Sequence, residues 1–105
     1  AVPAIVAGVE PSRISVVSPP PYRKPGAPAG DTSPIALAVA SMLGIGRVYR
    51  IGGPPAVAAL ALGTQRVEPV DFIAGPGHPV VQAAKLQLRG VVGTDDFYGA
   101  SEIVA

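Results

Sequence analysis

Two glycine-rich turns carry the residues of this sequence that are best suited to bind a ligand. The first, Gly52-Gly53-Pro54-Pro55, follows an apolar run at residues 48–51, and the second, Gly75-Pro76-Gly77-His78, follows another at residues 70–74. A helix-like run opens directly after each turn. Free backbone N–H groups at a helix N-terminus favour negative charge, so such turns are typical of phosphate sites in nucleotide-binding α/β proteins.

His78 is the only histidine, and it stands at the start of the second helix-like run. Its imidazole could hydrogen-bond a cofactor, or it could simply face solvent at the helix start. There is no cysteine and no second histidine, so we expect no metal site. Asp95 and Asp96 are adjacent and would point to opposite faces of an extended segment, which excludes a carboxylate pair on one substrate. We therefore expect the two aspartates to end a loop, and, as the family resemblance given below implies, we expect no catalytic residue in this chain.

Alternating helices and strands position these turns. The pattern predicts the order α-β-α-β-α-β-α-β, with short connections that favour right-handed crossovers. The predicted helices cover residues 1–7, 34–43, 55–62 and 79–89, and the predicted strands cover residues 13–17, 48–51, 70–74 and 101–105. We expect a three-layer Rossmann-like α/β domain with a parallel sheet of three to four strands.

Helical periodicity predicts which side chains are buried. The helix at residues 34–43 has an apolar stripe that we expect in the core, formed by Ile35, Val39, Met42 and Leu43. The helix at 55–62 has no polar side chain, so it should be covered on every side. The last helix is amphipathic. Its apolar face holds Val80, Val81, Ala84 and Leu88, and its opposite, water-facing side holds Gln82, Lys85 and Arg89.

Composition narrows the class of protein. A chain of 105 residues is one domain at most, 1–105, with a Pro/Gly-rich loop at 19–32. A net charge of +1 with scattered basic residues argues against nucleic acid as a partner. No apolar run is long enough for a membrane span, so we expect a cytoplasmic protein. Because only 14% of residues are charged, we also expect exposed apolar surface and hence a fragment of something larger.

Several short motifs, taken together and in order, closely resemble the central region of histidinol dehydrogenase. They cover nearly the whole chain and are Ser15-Val16-Val17-Ser18-Pro19-Pro20-Pro21, Val48-Tyr49-Arg50-Ile51-Gly52-Gly53, the run from Ala56 to Gly63-Thr64, Val70-Asp71, Gly75-Pro76-Gly77, Ala84-Lys85 and Gly99-Ala100-Ser101-Glu102. The resemblance implies a zinc- and NAD-dependent cytoplasmic oxidoreductase of histidine biosynthesis. Such an enzyme oxidises L-histidinol to L-histidine as a homodimer.

The resemblance also assigns roles to individual positions. It implies cofactor binding at Pro55, Gly75, Gly77 and His78, and substrate binding at Ser101. Pro55 stands where the family has a glutamine, and His78 where it has an asparagine, so two dinucleotide contacts are altered. The family's zinc ligands and its catalytic Glu-His pair lie beyond the matched region. This chain therefore has an implied NAD site but no zinc ligands of its own.

Three functions remain open from the sequence. The first is the cofactor-binding core of a histidinol dehydrogenase-like enzyme, which would be inactive as this isolated chain. The second is a divergent, non-catalytic Rossmann-like module that lost dinucleotide binding and acts through its apolar helix. The third is a generic α/β domain that binds another phosphate-bearing ligand at the second turn. Whether the chain is itself an enzyme stays open.

Overall fold

The computed structural model describes residues 1–20 and 32–95. The chain divides into two compact units, Ala1–Gly52 and Gly53–Ala105. Helices and strands alternate as predicted, with an additional 3₁₀-helix at Pro11–Arg13. The helices are α1 (Val2–Val6), α2 (Pro34–Met42), α3 (Gly53–Leu62) and α4 (Pro79–Gln87), and the strands are β1 (Ser15–Val17), β2 (Arg47–Tyr49), β3 (Phe72–Ile73) and β4 (Gly93–Thr94). Of the predicted loop at 19–32, only positions 19, 20 and 32 belong to the described residues.

The first unit pairs β1 with β2 in parallel, with Val16 opposite Val48. Helix α2 connects them and begins as predicted, since Ser33 is its N-cap and Pro34 its first residue. Proline suits that position because its missing N–H would have no partner inside the helix. Gly44 follows the helix with a φ of +71°, a conformation that glycine adopts without strain.

The second unit pairs β3 with β4 in parallel, with Phe72 opposite Gly93 and Ile73 opposite Thr94. Helix α3 packs against both α4 and β3. The buried apolar residues of this unit are Ala56, Val57, Leu60, Ala61, Val67, Ile73 and Val92. Throughout residues 1–20 and 32–95, no helix combines the length and the hydrophobicity that a membrane span requires.

The strands differ from the prediction in their pairing. Among the described residues they form two sheets of two strands each, and a single parallel sheet of three to four strands is not seen. The two strand pairs belong to different compact units of the chain, and each strand has only two or three residues. The fourth strand is Gly93–Thr94, which was not predicted, and the predicted strand at 101–105 lies outside the described residues.

The predicted core stripe of α2 is wrong. Ile35 is 76% exposed and Met42 is 85% exposed, whereas the buried residue of this helix is Ala40. Ile35, Val39 and Leu43 line an open apolar hollow together with Val16 and other residues of the same unit. Within this apolar stripe Ile35, Val39 and Met42 are thus exposed, and Leu43 is half-buried.

The other two long helices also depart from expectation. Helix α3 is buried on one side only, since Leu62 is 64% exposed. Helix α4 buries two of the three polar residues that were expected to meet water, Gln82 and Lys85, while Arg89 is exposed as expected. On its predicted apolar face Val80 is 53% exposed, and Val81, Ala84 and Leu88 are half-buried. The polar contacts around Lys85 explain why this lysine is buried.

Candidate functional site

The candidate site lies at the carboxyl ends of β3 and β4. Gly75 follows β3 by two residues, and Asp95 follows β4 directly. The strands are parallel, so both residues lie at the same sheet edge, and the Asp95 N–H donates to the Ile73 carbonyl oxygen at 3.3 Å. In α/β proteins, ligands bind outside the carboxyl ends of parallel strands.

Glycine is required twice in the turn at residues 75–78, for two different reasons. Gly75 has a φ of +135°, which strains any residue with a β-carbon. At Gly77 the restriction is space, because a β-carbon there would lie 2.7 Å from Cγ1 of Val81. The turn therefore runs close to Val81 in the first turn of α4, and Gly75 and Gly77 add no side chain to it.

Helix α4 begins at Pro79, with His78 as its N-cap. The His78 side chain is exposed and makes no capping hydrogen bond. The N–H groups of Val81 and Gln82 donate to the His78 carbonyl oxygen at 2.7 and 3.2 Å. Pro79 has no N–H group. The first N–H group of α4 that points toward the N-terminal end of the helix is therefore that of Val80.

A buried ion pair holds the base of this turn. Lys85 Nζ lies 2.6 Å from Asp95 Oδ1, and the two side chains are 5% and 11% exposed. Lys85 Nζ also donates to the Gly75 carbonyl oxygen at 2.5 Å, while the Gly75 N–H donates to Asp95 Oδ2 at 2.6 Å. Both polar backbone groups of Gly75 are thus held by one lysine and one aspartate.

These contacts explain why α4 buries Lys85. A buried lysine is tolerated when its charge is paired and its donors are used, as they are for Lys85. Gln82 lies one turn before Lys85 on the same face and is 2% exposed. Its Nε2 has no hydrogen-bond partner among the described residues, which is rare for a buried polar atom.

The structure brings three of the predicted cofactor residues, Gly75, Gly77 and His78, together in a single turn. Pro55 is exposed in the first turn of α3, the helix that packs against α4. Its ring supplies no backbone donor, so this helix start is a weaker anion site than α4. The predicted substrate residue Ser101 lies outside the described residues.

Lys85 and Asp95 were not predicted as site residues. Lys85 was assigned to a water-facing helix surface, and Asp95 to the end of a loop. Two signals could have found them. Asp95 follows the apolar residues Val91 and Val92 after a short interval, as Gly75 follows Ile73. The resemblance to the family also included the Ala84-Lys85 pair.

The described residues offer backbone donors at a glycine turn but no cluster of metal ligands. A glycine turn that approaches a helix start offers backbone donors without steric hindrance, which is what a pyrophosphate needs. By contrast, residues 1–20 and 32–95 contain no group of three or more His, Cys, Asp or Glu side chains that could hold a metal ion. Zinc therefore does not fit the described part of the chain.

Comparison with known proteins supports the mixed α/β fold described above. The chain is 49% identical over 104 residues to histidinol dehydrogenase from Rhodospirillum rubrum, and 50% identical over 103 residues to that from Thermotoga maritima. These matches cover 99% and 98% of this chain, but the chain spans only 22% of either relative. The crystal structure of histidinol dehydrogenase from Elizabethkingia anophelis matches 93% of this chain and 21% of its own, with a TM-score of 0.79 and 33% identity.

A family profile described as histidinol dehydrogenase matches residues 1–105, which is the whole sequence. The elements that carry the candidate site lie inside this match. On this evidence, the chain belongs to the histidinol dehydrogenase family.

Proposed function

We propose that this chain is the cofactor-binding core of an NAD- and zinc-dependent histidinol dehydrogenase, and that the 75–78 turn binds the dinucleotide. The observation that carries this proposal is the close approach of Gly77 to the start of α4 at the carboxyl edge of the β3–β4 sheet. This arrangement offers backbone N–H groups to a pyrophosphate, and neither Gly75 nor Gly77 has a side chain that would hinder its approach.

Each residue of the turn has a distinct part in binding. The N–H groups of Gly77, His78 and Val80 are the candidate donors to the phosphate oxygens. The exposed His78 imidazole adds one polar group at the helix start, where the family has an asparagine. NAD, when bound, would supply the hydride acceptor for the oxidation of L-histidinol, and the chain's own contribution is to hold and orient it.

Two other positions belong to the proposal through family resemblance. Pro55 stands where the family has a glutamine that would contact the dinucleotide. Its side chain cannot form a hydrogen bond, so it would contribute to cofactor binding only through the shape of its ring. Ser101 would contact the substrate. Since zinc and proton-transfer groups would have to come from residues beyond the matched region, we expect the isolated chain to bind cofactor without oxidising alcohol.

Titration of the purified chain with NADH tests the proposal. The sequence has no tryptophan, so the dihydronicotinamide emission can be followed without interference from indole. We expect saturable enhancement, and we expect Gly77→Val to abolish it because the new side chain meets Val81. The matched control is Gly46→Val, where a β-carbon would meet nothing within 4 Å. Lack of saturation up to about 1 mM NADH would contradict the proposal.

A second candidate function is a non-catalytic interaction module that has lost dinucleotide binding. The exposed apolar stripe of α2 favours it, since Ile35 and Met42 present large apolar side chains to solvent. It predicts a stable oligomer together with no response to NADH. Light scattering after size-exclusion chromatography measures the oligomer, and the NADH titration separates the two functions, because a homodimer is also expected of the cofactor-binding core.

The finer expectations about architecture and setting are part of the same proposal. They are a three-layer Rossmann-like sheet of three to four strands, a homodimer and a cytoplasmic location. The parallel pairing of β1 with β2 and of β3 with β4 supports the first of these. The light-scattering measurement also tests the second.

A further inference from the structure

We propose that Lys85 and Asp95 are positioning residues that set the 75–78 turn in its dinucleotide-binding conformation. This inference rests on the proposed function of that turn. It assigns a role to two residues that do not themselves need to touch the cofactor.

The first step is geometric. The Gly75 N–H belongs to the peptide plane before this residue, and its carbonyl oxygen belongs to the plane after it. Asp95 Oδ2 holds the N–H at 2.6 Å, and Lys85 Nζ holds the carbonyl oxygen at 2.5 Å. With both planes held, the rotations about Gly75 are determined, and so is the direction in which the chain enters Gly77 and His78.

The second step concerns the freedom that the pair removes. Gly75 has a φ of +135°, and a β-carbon there would meet nothing within 4 Å. No neighbour therefore occupies the β-carbon side of this glycine, whose backbone is the most flexible of any residue. The hydrogen bonds from the ion pair are the contacts that restrain it, and a restrained turn binds its ligand with less loss of entropy.

The third step is energetic. A buried ion pair gains little stability compared with apolar side chains of similar volume, because both charges must leave water. With side chains 5% and 11% exposed, Lys85 and Asp95 meet this description. Their main effect is therefore expected on the conformation of the turn rather than on the stability of the fold.

The sign of one substitution distinguishes positioning from simple charge. Asp95→Asn removes a negative charge beside the proposed phosphate site. If charge alone mattered, NADH would bind more tightly. If Asp95 positions the turn, NADH should bind about tenfold more weakly, which corresponds to losing roughly one charge-assisted hydrogen bond. The matched control is Asp71→Asn, which makes the same charge change at an exposed position before β3.

A charge-neutral double variant, Lys85→Met with Asp95→Asn, keeps the test valid if the single variant unfolds. It leaves no buried charge without a partner, and its net charge equals that of the unaltered chain. We expect the same weakening of about tenfold, since the bond to the Gly75 carbonyl oxygen is lost. The amide NMR signals of Gly75 and Gly77 should move in the ligand-free variant, while those of Val16 and Val48 in the other unit should stay.

Each outcome decides one question. If the unaltered chain binds NADH but the folded variants bind it equally well or more tightly, the positioning role is overturned and the proposed function stands. If the variants bind weakly and the Gly75 signal moves, the role is supported. If the unaltered chain binds no NADH, the proposed function is overturned, and with it this inference.

Discussion

Replacing Lys85 by methionine tests the buried polar face of α4. Methionine has a similar length but no charge, so the change removes the ammonium with little loss of volume. In the folded chain it would leave the Asp95 carboxylate at 11% exposure without its 2.6 Å lysine partner. It would also leave the Gly75 carbonyl oxygen without the bond from Lys85.

The expected cost follows from burial. Removing one partner of a buried ion pair destabilises a protein by about 3–5 kcal/mol, because the remaining charge stays buried. An exposed pair contributes about 0–1 kcal/mol. Since Asp95 keeps some access to solvent, we expect a loss of about 3 kcal/mol for Lys85→Met, at the lower end of the buried range. The losses of stability expected for a buried and for an exposed ion pair are therefore different enough to be distinguished by measurement.

Urea unfolding followed by far-UV circular dichroism measures this loss. The control is Arg89→Met, which removes an exposed cation shortly after the end of the same helix and should change stability by no more than about 0.5 kcal/mol. Adding Asp95→Asn to Lys85→Met should recover part of the loss, because no buried charge remains. If Lys85→Met costs no more than Arg89→Met, the burial of this lysine is refuted.

Three further predictions concern other positions. Gln82→Met should raise the free energy of unfolding by about 1 kcal/mol in the same urea assay, since the buried Nε2 has no partner among the described residues; a lower value would contradict this. Pro55→Gln restores a side-chain amide and a backbone donor at the start of α3 and should tighten NADH binding by roughly 2- to 10-fold in the fluorescence titration; unchanged affinity would remove this position from the site. Gly52→Ala places a β-carbon 2.7 Å from Cβ of Pro19 and should lower the free energy of unfolding in urea by about 1–3 kcal/mol. The control Gly46→Ala should be nearly neutral, because a β-carbon there meets no atom within 4 Å. Equal effects of the two variants would refute the packing argument.

Local signals in the sequence were sufficient to predict the order of elements up to α4 and several helix ends. Pro34 begins α2 and Gly44 follows it, as the preferences of proline and glycine require. The start of α4 after His78 was predicted for the same reason. These features depend on residues close together in the chain, so the sequence alone determines them.

Strand pairing and helix orientation could not be predicted in this way. Which strands share a sheet depends on contacts between distant residues, and β4 has only two residues, too few for a recognisable pattern. Periodicity placed Lys85 on the water-facing side of α4. It could not show that this lysine is buried, because its burial depends on Asp95 at the end of another strand.

The candidate site also contains some residues that the sequence predicted and others that it did not. The glycines of the second turn were found from the sequence because their spacing before a helix is a local signal. Lys85 and Asp95 were missed because a lysine on an amphipathic helix normally faces solvent. Only the parallel pairing of β3 with β4 brings Asp95 beside Gly75.

The most direct test of the central claim is the amide NMR spectrum of the chain as NAD is added. If the 75–78 turn binds the dinucleotide, the signals of Gly75, Gly77, His78 and Val80 should shift and saturate together, while those of Val16 in the other unit stay in place. Saturable shifts confined to residues away from this turn, or no shifts at all, would contradict the assignment of this site.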